Sequence, residues 1–96
     1  MPIERDKIRK ALLGKGFIEV TDKKRHDFYY LLVDGRKQPV FTILSRGSSY
    51  KDYSDGLVSE VAKQINLTKS EFADYVDCKL EFVGYLTLLR ERTIIT

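Results

Sequence analysis

The chain has one cysteine, one histidine and two prolines, and no apolar run that approaches the roughly 18 residues a membrane span needs. Cys78 alone permits no internal disulfide and cannot furnish a zinc site by itself. No carboxylate cluster resembles a Mg²⁺ site, so no metal or other cofactor is expected. A P-loop is missing too, because Gly14-Lys15-Gly16 is too short to cradle phosphates. The opening Met-Pro-Ile-Glu-Arg-Asp-Lys lacks the apolar stretch of a signal peptide. These absences together lead us to expect a reduced, cytoplasmic protein with no membrane association. Internal repeats, low-complexity segments and interdomain linkers are also lacking.

What remains is ordinary globular composition: 96 residues, 43% hydrophobic and 32% charged. That length accommodates one core, so residues 1–96 are read as a single domain. The net charge of +3 is unevenly spread. Residues 1–47 hold 11 Lys/Arg against 6 Asp/Glu, whereas residues 48–96 hold 6 against 8. Basic charge gathered in one half points to a polyanion, nucleic acid first among them. The bland alternative is a solvated lysine-rich surface.

Hydrophobic spacing predicts the order α-β-β-β-α-α-α, an α+β fold with a three-stranded antiparallel sheet packed on helices. Ile3, Ile8, Ala11 and Leu12 define a first helix over residues 3–13, with Pro2 in its first turn and Gly14 and Gly16 stopping it. Phe17, Ile18 and Val20 form a short strand. Residues 25–33 are strongly β, and Asp34-Gly35 is a two-residue hairpin turn leading into a return strand over 37–45. That turn sets Val33 opposite Arg36, Tyr29 opposite Val40, Phe28 opposite Phe41 and His26 opposite Ile43. Pro39 cannot donate to a ladder, so the return strand is expected at an edge and the second strand at the centre. Helices are predicted near 54–66 with Ser54 as N-cap, from the Thr68-Lys69-Ser70-Glu71 capping box through Val76, and over Leu80 to Leu89. Cys78 is read as a small buried hydrophobe.

The central strand is apolar on both faces: Phe28, Tyr30 and Leu32 point one way, Tyr29, Leu31 and Val33 the other. A sheet with helices on one side normally shows water a polar face. We expect Tyr29, Leu31 and Val33 to form an uncovered patch for a protein partner or a second copy of the chain. Burial under the C-terminal helix is the alternative. Tyr29 and Tyr30 are read as packing residues ahead of base-stacking ones.

The pattern resembles the HicA family, toxins of type II toxin–antitoxin systems. The matching stretches are Ile8-Arg9-Lys10-Ala11-Leu12 with Lys15-Gly16-Phe17, His26 leading into Phe28-Tyr29-Tyr30, and the Asp34-Gly35 turn. Ser45-Arg46-Gly47, Ala62-Lys63-Gln64-Ile65 and Glu71-Phe72 with Cys78 look like a branch of HicA-like proteins. The resemblance covers residues 8–89 and rests on the order and spacing of the stretches together. It implies a fold similar to a double-stranded-RNA-binding domain. It also implies mRNA cleavage by one histidine at the start of the second strand, here His26, and inhibition by a HicB-like antitoxin. Two departures stand out: Lys24-Arg25 replaces the usual Gly-Ser before the histidine, and Arg46 stands where the branch often has a second histidine.

Metal-free RNA cleavage needs a base for the ribose 2′-OH, an acid for the leaving 5′ oxygen, and cations for the charge developing on the phosphoryl oxygens. Histidine serves either proton role, its unperturbed pKa being about 6.5. His26 is the catalytic candidate, and Lys23, Lys24, Arg25 and Arg46 are the RNA-binding candidates. Against these stand a solvated strand-end histidine and a solvated hairpin tip. The leading expectation is a HicA-like endoribonuclease. The alternatives are a non-catalytic RNA-binding module and a partner-binding protein of the same fold.

Overall fold

The computed structural model describes residues 2–21, 26–45 and 51–95. Lys23, Lys24, Arg25 and Arg46, four of the sequence's candidate residues, lie outside the described residues. The fold is α+β. In order the elements are β1 (Ile3–Glu4), α1 (Arg5–Gly14), β2 (Phe17–Thr21), β3 (His26–Val33), β4 (Arg36–Ser45), β5 (Asp52–Tyr53), α2 (Asp55–Gln64), α3 (Lys69–Val76) and α4 (Phe82–Glu91). β2, β3 and β4 form an antiparallel meander with β3 central and β4 at an edge, as the turn and Pro39 predict. No helix among the described residues is long and apolar enough to cross a membrane.

Two short strands were not anticipated. Ile3 and Glu4 do not begin the first helix; they pair with Tyr53 and Asp52, and the Arg5 amide donates to the Lys51 carbonyl at 2.8 Å. A two-residue strand carries no periodicity of its own, so only this long-range pairing defines it. The first helix therefore starts at Arg5. The last begins at Phe82, with Leu80 in the preceding turn. Cys78 is exposed rather than buried, because it takes the left-handed turn position after α3, with φ +63°.

The hairpin turn has φ +52° at Asp34 and +77° at Gly35, the conformation a two-residue return requires. Beyond Leu32 opposite Lys37 the register changes. The next pair is Tyr30 with Phe41, so Leu31 alone spans Gln38, Pro39 and Val40 of β4. Pro39 has no N–H to give to the ladder, and the irregularity falls around it. His26 consequently faces Ser45, not Ile43, and Phe28 faces Ile43, not Phe41. A slip of two residues keeps every side chain on its face.

One face of the meander packs on the helices. Phe17, Tyr29, Leu31, Val40 and Leu44 join Ile8, Leu12, Val58, Ile65, Phe72, Tyr85 and Leu89 in one core. Tyr29 and Leu31 are 0% exposed. The expected uncovered patch of Tyr29, Leu31 and Val33 is thus corrected: this is the covered side, with Val33 packed against the core. Gly16 is the tightest backbone position. Its φ is +90°, and a Cβ there would stand 2.4 Å from the Phe82 ring, so glycine alone lets α4 close over the start of β2.

Candidate functional site

The candidate site lies on the opposite, open face. By register it carries Ile18 and Val20 from β2, His26, Phe28, Tyr30 and Leu32 from β3, and Lys37, Phe41, Ile43 and Ser45 from β4. The pairing lays these out in rows: Ile18–Tyr30–Phe41, then Val20–Phe28–Ile43, then His26–Ser45. Phe41 is 48% exposed, Val20 46% and Ile18 42%. The Phe28 and Tyr30 rings stack with centroids 6.3 Å apart, and Tyr30 and Phe41 with centroids 5.8 Å apart. The Lys37 ammonium sits 3.9 Å from the Tyr30 ring centroid.

His26 opens the central strand and is exposed. Among the described residues none hydrogen-bonds to its side chain. Its neighbours are held firmly. Arg5 donates from its guanidinium to the Asp27 carboxylate at 2.8 Å and, through Nε, to the Ser45 carbonyl at 2.8 Å. The Ser45 amide donates to the Tyr53 hydroxyl at 2.7 Å. Arg5 thus ties together the residue after His26 and the residue opposite it. Because Asp27 points to the helix side, its buried charge is matched there by Arg5.

A second ionic tie stands further along. Arg9 grips Glu19 with two hydrogen bonds, at 2.7 and 3.1 Å, and the Tyr29 hydroxyl donates to the same carboxylate. The Arg9 bond first, and then the Tyr29 bond, hold the Glu19 carboxyl below its usual range. Burial, reinforced by the Glu19 bond, pushes the Tyr29 phenol up. Lys15, from the Lys15-Gly16-Phe17 stretch, is buried. Its ammonium donates to the Tyr75 carbonyl and to the Leu80 carbonyl, 2.9 Å away, closing the C-terminal end of α3.

Sequence reasoning found His26 and placed it on the Phe28 face. It missed the ring strip of Phe28, Tyr30 and Phe41. The signal was present in the alternation of β3 but could not be signed, because both parities are apolar. Arg5 and Arg9 gave no signal, since they read as the polar face of a helix. No group of three or more His, Cys, Asp or Glu side chains that could hold a metal ion occurs among the described residues. No family model, curated protein or solved structure matches the chain.

Proposed function

We propose that the chain is a cytoplasmic, HicA-like RNA-binding protein that cleaves mRNA without metal, His26 being its catalytic residue and a HicB-like antitoxin its partner. One observation carries the reading. The single histidine stands exposed at the start of the central strand, with no side-chain hydrogen bond among the described residues, on the face left open by the helices, while Arg5 holds the Asp27 carboxylate beside it and the Ser45 carbonyl across from it. A catalytic base needs this combination of a free ring and a fixed mount. The order of α1, meander and following helices also supports a fold similar to a double-stranded-RNA-binding domain.

In the proposed reaction His26 takes the proton of a ribose 2′-OH. The freed oxygen attacks the adjacent phosphorus, and the bond to the 5′ oxygen breaks as that oxygen gains a proton. The products are a 2′,3′-cyclic phosphate and a 5′-hydroxyl. Lys23, Lys24 and Arg25, which immediately precede His26 in the chain, and Arg46, which follows Ser45, supply the cations. The test is cleavage of a labelled RNA in EDTA by the wild type and by His26→Ala. Activity is expected in the first and absent in the second, with both folded. Full activity in His26→Ala would refute the assignment.

A second reading is binding without cleavage. It is favoured by the absence of a second acid–base group close to His26 among the described residues. Tyr30, the nearest titratable side chain on the open face, lies four residues along β3, about 13 Å at strand rise. Wild-type protein that binds RNA in a salt-dependent way but leaves every substrate intact would select this reading.

A further inference from the structure

We infer that the open sheet face is a stacking platform for single-stranded RNA, the bases lying on Phe28, Tyr30 and Phe41. This deepens the proposed RNA reading and rests on it. Three aromatic rings on two adjacent strands form one continuous strip, with centroid steps of 6.3 and 5.8 Å. Phe41, at the edge-strand end, is half exposed, and no helix among the described residues covers it. Phe28 and Tyr30 are half-buried, and an aromatic strip that ends in a half-exposed ring fits an occupant that uses rings.

Charge selects the occupant. Among the described residues no acidic side chain lies on this face. Glu19 and Asp27 are turned to the helix side, where Arg9 and Arg5 hold them. The charged residue on the open face is Lys37, and His26 closes the far end of the strip. Rings flanked by a cation and free of carboxylates suit a polyanion that carries π-faces. A duplex keeps those faces inside its own stack, so an unpaired strand is the form that fits. Lys37 now caps Tyr30 in a cation–π contact, which is weaker than a base stack and can be displaced by one. The released ammonium is then free to meet a phosphate. A strand lying along β3 would carry its backbone past His26 at the end of the same row.

The experiment measures binding of a labelled 2′-O-methyl RNA strand, which cannot be cleaved through its 2′ oxygen, and of the same sequence as a duplex. Phe28→Ala, Tyr30→Ala and Phe41→Ala are each expected to weaken single-strand binding by about five- to 150-fold, the equivalent of one lost stack. Tyr30→Phe, which keeps the ring, should bind more tightly than Tyr30→Ala. Tyr30→Leu should lose affinity although it keeps the apolar bulk, which separates loss of the ring from loss of the fold. Single-strand affinity unchanged in all three alanine variants would overturn the platform and leave the RNA reading standing on the basic segments. Wild-type protein that binds neither strand nor duplex at low salt would overturn both. A dimer that Phe41→Ala dissociates, with RNA affinity untouched, would overturn the platform in favour of a second copy of this chain.

Discussion

The two faces of the meander are built from almost the same residue types and do opposite work. On the covered face, Tyr29 and Leu31 are fully buried and the polar groups are tied down: Glu19 by Arg9 and Tyr29, Asp27 by Arg5, Thr42 by its hydroxyl bond to Gln64. On the open face, Phe28 and Tyr30 alternate with those residues, and their rings stack on one another and on Phe41, with Lys37 over Tyr30. Apolar character therefore does not decide which side a helix covers. The decision lies with the partners: α1 brings Arg5 and Arg9 to the two acidic strand residues and Ile8 and Leu12 to the core. A covered face that lost those partners would leave Asp27 buried and Glu19 half-buried without their arginines, which is unfavourable.

The sharpest way to break this contrast is to remove matched bulk from each side. Leu31→Ala opens a cavity where no side chain can reach solvent. It should cost about 3 kcal/mol in denaturant unfolding, a large share of the stability of a domain this size. A loss under about 1 kcal/mol would mean that the helices do not pack on this face as described.

The acidic residues offer a second test, through pH. Glu19 is held below the usual carboxylate range by Arg9 and Tyr29, and Glu71 likewise by Arg92. A carboxyl whose folded pKa is depressed contributes stability above its unfolded value, near 4.5, and loses it as pH falls through the folded value. Stability should therefore decline on the acid side of about pH 4.5. Glu19→Gln should cost about 1 kcal/mol at neutral pH and make the acid decline shallower, Glu71 retaining its part. An acid limb of unchanged steepness would show that the Arg9–Glu19 pair does not hold the helix to the sheet.

Legibility in the sequence followed the range of the interactions involved. The Asp34-Gly35 turn, the Thr68 capping box and the apolar stripe of α2 are local, and each was read correctly, down to the reciprocal bonds between Thr68 and Glu71; on α3 Phe72 and Val76 point inward as expected, but the fully buried Tyr75 was missed. Leu57 was the exception on α2, being exposed at the rim of its stripe. Pro39 predicted the edge strand, but its second effect, the register change that sets Ser45 opposite His26, depends on how the ladder accommodates a missing donor. Pairing of Ile3–Glu4 with Asp52–Tyr53 joins segments nearly fifty residues apart and left no local pattern. The face assignment failed for a different reason. Period-two alternation shows that two faces exist but carries no sign when both are apolar. A sign was available from Glu19 and Asp27, which share the face of Tyr29, only to a reader who knew that Arg5 and Arg9 would meet them.

The smallest expected effect is also the most discriminating. Phe41→Thr puts a β-branched residue on the edge strand, where strand preference is retained. It removes a ring that is half in water and touches Tyr30 across the ladder at 5.8 Å. Half-exposed aromatic pairs contribute little, so the loss should be about 1 kcal/mol at most. Set beside Leu31→Ala, one strand away on the other face, this is the whole contrast: similar apolar side chains, one structural and one spare. A loss from Phe41→Thr as large as that from Leu31→Ala would make the open face part of the core's support, and its rings would be engaged in holding the sheet. A small loss leaves the half-exposed Phe41 ring without a structural task, which is the condition the proposed stacking platform requires of it.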